Sequence, residues 1–260
     1  MTDYEAITLE EAGPIARITL NRPDAANAMN DTMTRELAHA ARRCDDCATK
    51  VVVITGAGRF FSAGGDLRGM ASSSTTRGRY VKTIADDLHR AISTFARMDA
   101  VVVTAVNGVA AGAGFSLAVT GDLVVAADVS SFTMAYTAAG LSPDGSSSFY
   151  LPRLIGVRRT QELMLTNRKL SAAEALEWGL VTQVVDAAEL PGRVETLAQQ
   201  MARSAKGSGS AVKKLLLTSF KNALEEQMEY EGRLIAECAD SADGTEGIDA
   251  FLAKRPPTFA

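Results

Sequence analysis

Two glycine-rich turns contain the residues of this sequence whose types and spacing could do chemistry. They are residues 61–67, Phe-Ser-Ala-Gly-Gly-Asp-Leu, and residues 107–115, Asn-Gly-Val-Ala-Ala-Gly-Ala-Gly-Phe, and each comes after an apolar segment of strand length. Small residues let a ligand approach the backbone closely, and a helix start leaves N–H groups free with a favourable dipole. Two such N–H groups that converge could stabilise a negatively charged oxygen. Either turn alone could equally serve packing.

Two alternative interpretations of the motifs fail on detail. Gly112 and Gly114 fit the start of a dinucleotide-binding fingerprint, but Leu117 stands where the third glycine belongs. Cys44 and Cys47 have redox or zinc spacing, yet the chain has no second pair of this kind and only two histidines. We therefore interpret these cysteines as reduced structural residues near a helix end.

The elements that must hold the two turns alternate between strands and helices. Apolar and β-branched segments predict strands over residues 15–20, 51–55, 101–106 and 122–127. The run over 51–55 is continuous, which is typical of a strand buried on both faces. Apolar residues three or four apart predict helices from Met29 to Cys44 and from Val81 to Phe95. This order predicts an α/β fold with parallel strand pairing.

From about residue 158 onward the pattern becomes helical. Ser171 and Glu174 have capping-box spacing, and Trp178 with Gly179 is expected to end that short helix. Residues 207–210, Gly-Ser-Gly-Ser, predict a flexible break before helices over 211–223, 224–239 and 244–254. We therefore divide the chain into an α/β body, residues 1–200, and a helical region, residues 201–260.

Length and composition exclude several classes of protein. The chain has 260 residues, of which 47% are hydrophobic, so it can bury a core and is not disordered throughout. Its net charge of −4, without a basic stripe, disfavours nucleic-acid binding. No apolar run approaches the ~20 residues of a membrane span, and the acidic N-terminus lacks a signal pattern. A soluble, cytoplasmic protein is the default expectation.

Five motifs in a fixed order make a family resemblance specific. They are Asn21-Arg22-Pro23, the two glycine-rich turns, residues 170–181 and residues 251–256. Together they resemble the crotonase, or enoyl-CoA hydratase/isomerase, family over nearly the whole chain. The resemblance implies a crotonase-like spiral of ββα units, followed by helices that build a trimer, often paired into a hexamer. It also implies an acyl-CoA substrate, and hence a place in fatty acid metabolism.

The resemblance further implies which residues bind the substrate. The N–H groups of Gly65 and Ala113 are expected to form an oxyanion hole around the thioester oxygen. Residues beside these motifs and near the C-terminal end are candidates for binding CoA: Arg22, Ala63, Asp66, Arg68, Lys254 and Arg255. Ala63 takes the family's adenine-binding backbone position. Lys254 and Arg255 are expected to reach the CoA of a neighbouring subunit. Each basic side chain could equally be a solvated surface charge. No metal or redox cofactor is implied, because CoA arrives as part of the substrate.

The two glutamates that the family's hydratases use are absent. One belongs in the helix after the second glycine-rich turn and the other about twenty residues later, and these positions hold Ser116 and Tyr136. A hydroxyl with a pKa of about 10 or above is a poor base at neutral pH. Ordinary hydratase activity is therefore not expected, and Tyr136 is expected to shape the pocket or to form a hydrogen bond.

A single carboxylate follows eight residues after Tyr136, at Asp144 in the sequence Leu-Ser-Pro-Asp-Gly. Several family branches place their catalytic acid here, among them enoyl-CoA and dienoyl-CoA isomerases, the branch acting on phenylacetyl-CoA epoxides, and 4-chlorobenzoyl-CoA dehalogenases. One carboxylate is enough for isomerisation, because it can take a proton from one carbon and return it to another. Pro-Asp-Gly is also a common turn sequence without chemistry.

His89 keeps a second mechanism open. It falls at the position where the dehalogenases carry a water-activating histidine, although Tyr136 stands where that branch has a tryptophan. A structural helix histidine is the alternative. The first hypothesis is an acyl-CoA isomerase, or a related lyase, in which Asp144 shuttles a proton. The others are a nucleophilic enzyme that uses Asp144 and His89, a hydratase with an atypical site, and a non-catalytic acyl-CoA-binding trimer.

Overall fold

Two sheets organise the first three quarters of the chain in the computed structural model, which describes residues 4–46 and 48–259. The larger sheet contains β1 (Ile7–Ala12), β2 (Ile15–Leu20), β3 (Val51–Gly56), β5 (Val101–Val106), β7 (Leu123–Ala127) and β10 (Gln183–Val185), in that order. The smaller sheet contains β4 (Phe60–Ser62), β6 (Val109–Ala111), β8 (Ser131–Thr133) and β9 (Leu170–Ser171), also in that order. Among these described strands, only the β1–β2 and β8–β9 pairs are antiparallel.

The described residues also form ten α-helices. They are α1 (Asp31–Asp46), α2 (Leu67–Ser72), α3 (Arg77–Arg97), α4 (Ala113–Ala118), α5 (Ser147–Thr166), α6 (Ala172–Glu177), α7 (Leu190–Ala202), α8 (Lys206–Thr218), α9 (Leu224–Asp240) and α10 (Ala242–Leu252). Three times, a strand of the larger sheet is followed by a strand of the smaller sheet and then by a helix. This repetition is the ββα spiral that the family resemblance implies, and that expectation is confirmed.

The buried strands separate two hydrophobic layers. In β3, Val52 and Ile54 face the layer that contains α1 and α3, whereas Val51 and Val53 face the layer that contains α7. Successive side chains of a strand point to opposite faces, so a continuous apolar run satisfies both layers. The prediction that this strand is buried on both faces is confirmed. Cys44 is buried on α1, whereas Cys47 lies outside the described residues.

The helix boundaries agree with the sequence predictions in one place and differ in others. The capping box of Ser171 and Glu174 is confirmed, and α6 ends at the predicted place. The predicted break over residues 207–210 is wrong, because these residues lie in α8, where Ser210 is buried. Packing there outweighs the poor helix propensity of Gly and Ser. The predicted start of the helical pattern near residue 158 matches only the second part of α5, which follows a break at Gly156 (φ 76°). The prediction misses the first part of α5, which begins at Ser147, and the two short strands β9 and β10 that follow α5.

The predicted domain boundary between residues 200 and 201 falls in the last turn of α7, and it stays a prediction. No helix among residues 4–46 and 48–259 is long and apolar enough to cross a membrane.

A buried ion pair ties α8 to the spiral. The Nζ atom of Lys213 lies 2.9 Å from Oδ2 of Asp122 and donates to the carbonyl oxygens of Phe95 and Ala100 at 2.8 and 2.7 Å. The Lys213 side chain is 6% exposed, and that of Asp122 is 27% exposed.

We expect Lys213→Met to lower the free energy of unfolding by about 3 kcal/mol. The variant leaves Asp122 and two carbonyl oxygens without their shared donor. The value is at the lower end for a broken buried pair because Asp122 keeps some water contact. Urea unfolding measures the change, with the exposed pair variant Lys214→Met as control. Equal stability of the two variants would contradict a role for Lys213 in fastening α8.

Candidate active site

The two glycine-rich turns meet at one edge of the smaller sheet. Because β4 and β6 are parallel neighbours, the segments that follow them leave the sheet on the same side. Gly64 packs directly on the second turn: a Cβ added there would lie 2.7 Å from the carbonyl oxygen of Ala111 and 3.3 Å from the nitrogen of Ala113. Gly64 also has a φ of +92°. Only glycine combines this φ with so close an approach.

Two backbone N–H groups are left for a ligand at this contact. The neighbours of Gly65 pair with Met29, whose nitrogen donates to the Gly64 carbonyl and whose carbonyl accepts from Asp66. Ala113 is the first residue of α4, so its N–H has no partner within the helix. Within the described part of the chain, neither the Gly65 nor the Ala113 N–H donates to an acceptor. Both residues line the same cavity, as an oxyanion hole requires.

The cavity has a volume of about 370 Å³. Its wall is mostly aliphatic, and the larger apolar side chains that line it are Met29, Leu67, Met70, Val81, Ile84, Leu88 and Leu141. Most of them come from α2 and α3. Tyr136, Asp144, Lys82, Thr34 and Ser142 supply the polar side chains. The volume and the mixture of an apolar wall with a few polar groups are typical of a small-molecule site.

Asp144 presents the carboxylate of the cavity. Its Oδ1 atom accepts a hydrogen bond of 2.6 Å from the Tyr136 hydroxyl. Its carbonyl oxygen accepts bonds of 2.9 Å from the hydroxyls of Ser116 and Ser147, both of which are fully buried. The two serine hydroxyls thus fix the main chain of Asp144, while its side chain remains 30% exposed.

Tyr136 acts as a hydrogen-bond donor in this site. Burial raises the pKa of its phenol far above the ordinary value, and the negative charge of Asp144 raises that pKa further. The Ser116 hydroxyl lies 3.1 Å from the same phenol oxygen. Neither Ser116 nor Tyr136 is therefore a base, and Asp144 is the only carboxylate among the described residues that line this cavity.

His89 contacts the Asp144 turn and is not among the described residues that line the cavity. Its Nε2 atom is 3.6 Å from Oδ2 of Asp144 and 3.2 Å from the nitrogen of Gly145, whose N–H donates to it. The imidazole is 47% exposed.

The residues predicted to bind CoA are only partly gathered at the cavity. Ala63 lines it. Arg22 donates to Oδ2 of Asp66 at 3.0 Å. Asp66 also caps α2 through the N–H groups of Arg68 and Gly69. Burial acts to raise the pKa of Asp66, but hydrogen bonds from Gly69 and Arg22 outweigh it and lower that pKa. Lys254 is exposed beyond α10 and does not line the cavity.

Two features of the site cannot be found from the sequence. The hydroxyls of Ser116 and Ser147 fix the Asp144 carbonyl, but a serine in a small-residue stretch carries no signal of such a contact. The stripe of Val81, Ile84 and Leu88 predicts only an amphipathic helix, whereas these side chains form a wall of the cavity.

Arg68, which the family resemblance makes a candidate for binding CoA, is exposed and is not among the described residues that line the cavity.

The ββα spiral defines a crotonase-type fold. The family model described as Enoyl-CoA hydratase/isomerase matches residues 10–260. The chain therefore belongs to the enoyl-CoA hydratase/isomerase family.

Relatives of this chain carry different activities in their names. A probable enoyl-CoA hydratase of Rhodobacter capsulatus is 37% identical over 98% of both chains. A 1,2-epoxyphenylacetyl-CoA isomerase of Escherichia coli K12 is 37% identical over 94% of both chains. Among solved structures, a putative enoyl-CoA hydratase/isomerase from Mycobacterium abscessus is 31% identical, with a TM-score of 0.93 over 98% of this chain and 99% of that one.

We expect Tyr136→Phe to lower kcat about 10-fold with little change in KM, because the Asp144 carboxylate loses a charge-assisted hydrogen bond that orients it. Steady-state kinetics with the acyl-CoA substrate measures the effect. Tyr150→Phe is the matched control, since no hydrogen bond from the Tyr150 hydroxyl to a described residue is present. An unchanged kcat in Tyr136→Phe would contradict the orienting role.

Proposed function

We propose that this chain is an acyl-CoA isomerase that moves a carbon–carbon double bond through a thioester enolate. The observation that carries the proposal is the single carboxylate, Asp144, which lines the same cavity as the free N–H groups of Gly65 and Ala113. Ser116 and Tyr136 occupy the positions at which hydratases of the family have glutamates. The relative named 1,2-epoxyphenylacetyl-CoA isomerase lends support to isomerase chemistry.

The proposed reaction transfers one proton and needs no other reagent. Asp144 takes a proton from C2 of a 3-enoyl-CoA, and the electron pair moves onto the thioester oxygen to form a dienolate. The Gly65 and Ala113 N–H groups stabilise that oxygen, and one such donor can contribute roughly 3–4 kcal/mol to the transition state. Asp144 then returns the proton to C4, which yields the 2-enoyl-CoA. The carboxylate ends as it began.

Hydration requires more than this site offers. One carboxylate would have to hold and deprotonate a water molecule while a proton is delivered to carbon. The hydroxyls of Ser116 and Tyr136 supply no second base, as the raised pKa of Tyr136 illustrates. Because some relatives are named probable enoyl-CoA hydratase and carnitinyl-CoA dehydratase, hydration is the competing activity that the experiment must test.

A two-substrate comparison tests the proposal. Proton NMR in D₂O follows 3-enoyl-CoA, with isomerisation and deuterium exchange at C2 and C4 as the expected result. Parallel assays follow hydration of crotonyl-CoA. Fast hydration together with absent isomerisation would overturn the proposal in favour of a hydratase. Binding of acyl-CoA without turnover of either substrate would favour a non-catalytic acyl-CoA-binding protein.

A second candidate follows from the 3.6 Å between Nε2 of His89 and Oδ2 of Asp144. In this mechanism Asp144 attacks the halide-bearing carbon of an aryl-CoA ring, the halide leaves, and water activated by His89 hydrolyses the ester. Against it, Nε2 already accepts a hydrogen bond from Gly145. Chloride release from 4-chlorobenzoyl-CoA, lost in His89→Gln, would select this candidate.

The proposal extends to the rest of the substrate and to the assembly. CoA enters as part of the substrate, held near Arg22, Ala63, Asp66 and Arg68, and no metal or redox cofactor takes part. Self-association as a trimer or a dimer of trimers would bring Lys254 of one subunit to the CoA of another. Exposed apolar side chains of the last three helices support self-association: Leu216, Leu224, Met228, Ile235, Ile248, Phe251 and Leu252. A cytoplasmic role in fatty acid metabolism fits this proposal.

A further inference from the structure

The His89 imidazole contacts the backbone of the Asp144 turn. The N–H of Gly145 points at Nε2 across 3.2 Å. A ring nitrogen that accepts a hydrogen bond carries no proton, so the neutral ring must hold its proton on Nδ1. In this form Nε2 has no hydrogen to donate to Oδ2 of Asp144, which lies 3.6 Å away.

The Gly145 N–H makes one of the hydrogen bonds that fix the backbone turn after Asp144. Gly145 has a φ of +60°, and a Cβ added to it would lie 2.8 Å from Cβ of Ser116. On one side of the turn, the Asp144 carbonyl is held by the Ser116 and Ser147 hydroxyls. On the other side, the Gly145 N–H is held by His89. These bonds flank the peptide that follows the proposed proton shuttle, so they determine where its carboxylate points.

We propose that His89 is a positioning residue for Asp144, and that it works in the neutral form with its proton on Nδ1. The proposal rests on the proposed function of Asp144 as proton shuttle. His89 takes no part in bond making: it anchors the Gly145 amide from outside the cavity, and Tyr136 orients the carboxylate from inside it.

Protonation of His89 would undo this arrangement in two ways. The imidazolium ring has two donors and no acceptor, so the Gly145 N–H loses its partner. Nε2 then carries a hydrogen that faces Oδ2 of Asp144, and the carboxylate is drawn toward the ring.

The charged groups around His89 are mostly directed elsewhere. Asp144 faces it from the turn, and Asp86 lies near it on α3, where Asp86 pairs with Lys82. The charged residues of the helices that pack on α3 contact other parts of that helix. On the α1 side, a groove is lined by Arg35, Glu36, Arg42, Asp87 and Arg90. On the α8 side, Lys213 donates to the carbonyl oxygens of Phe95 and Ala100.

Two His89 variants separate positioning from packing and from water activation. His89→Ala removes the acceptor and should lower the kcat of isomerisation about 2- to 10-fold, the value of one hydrogen bond, with KM unchanged. His89→Gln can offer its amide oxygen to Gly145 and should recover most of that loss. His39→Gln, on the exposed face of α1, is the matched control with unchanged kinetics.

The same variants define the results that overturn the proposal. Equal impairment of kcat in His89→Ala and His89→Gln would mean that the acceptor for the Gly145 N–H has no role and that His89 only fills space. Full activity in His89→Ala would mean that the Gly145 contact has no effect on the reaction.

The protonation state can be read without any turnover. The chain has only two histidines, so long-range ¹H–¹⁵N spectra of the wild type and of His39→Gln assign both rings. In the neutral His89 ring, a bare Nε2 and a protonated Nδ1 are expected. A proton on Nε2 would overturn the inference. Because this readout is independent of catalysis, it distinguishes a wrong role for His89 from a wrong proposed function, which the absence of isomerisation in the wild type would reveal.

Discussion

Replacing Asp144 with asparagine is expected to slow the isomerisation of a 3-enoyl-CoA substrate, with kcat reduced by about 10²–10⁴-fold. The amide cannot accept a proton and return it, but it keeps the shape of the carboxylate and an oxygen for the Tyr136 hydroxyl. The Ser116 and Ser147 bonds go to the backbone and are unaffected. Substrate affinity should therefore change little while proton transfer is lost. Proton NMR in D₂O measures both isomerisation and exchange at C2.

Asp45→Asn provides the control for this experiment, because Asp45 is an exposed aspartate in the last turn of α1. It should match the wild type in both readouts. If Asp144→Asn exchanged the C2 proton as fast as the wild type, another group would have to be the base, and the proposed mechanism would be wrong. Loss of isomerisation with exchange retained would restrict Asp144 to the return of the proton at C4.

The second large effect is expected from Gly64→Ala, which should lower kcat/KM by about 10²–10³-fold, the value of an oxyanion-hole donor. The new methyl group would lie 2.7 Å from the Ala111 carbonyl oxygen, a backbone atom that cannot move aside alone. The two turns must separate, and the Gly65 and Ala113 N–H groups would then no longer converge on one oxygen. Initial rates over a range of acyl-CoA concentrations measure the loss.

Two further glycines make this prediction specific. A Cβ at Gly65 would meet only Cε of Met70, the end of a flexible side chain, at 2.7 Å. Gly65→Ala should therefore be much less harmful. A Cβ at Gly192 on α7 meets nothing within 4 Å, so Gly192→Ala is the neutral control. Circular dichroism would verify that each variant folds. Normal kcat/KM in a folded Gly64→Ala would show that the two N–H groups are not the oxyanion hole.

The sequence predicts the parts of the fold that local patterns encode. The apolar runs of β3 and β5 and the periodic face of α3 are signals within one segment, so their positions are predictable. The strands β4, β6 and β8 have three residues each and are held by pairing with one another across long stretches of chain. Such pairing leaves no pattern in the segment itself. The Gly and Ser residues of α8 mislead for the same reason, because burial of Ser210 decides their structure.

In the candidate site, too, some features can be predicted from the sequence and others cannot. Glycine-rich turns and the family resemblance are enough to predict Gly65, Ala113 and Asp144 as partners around one cavity. The bond between His89 and the Gly145 amide is not predictable. It depends on the positive φ of Gly145 and on the rotation of α3 about its axis, and neither can be deduced from residue types. From the sequence, His89 is either a water-activating residue or a structural helix histidine.

The division of β3 between two hydrophobic layers limits where this chain can change in length. Inserting one residue into the strand would exchange the side chains that face α7 with those that face α1 and α3, because each successive residue points to the opposite face. It would also shift the first glycine-rich turn relative to the second. The polar link between α2 and α3, residues 73–76, has no such alternation. Homologues should therefore carry their insertions and deletions in that link, next to the aliphatic wall, and keep the strand length constant.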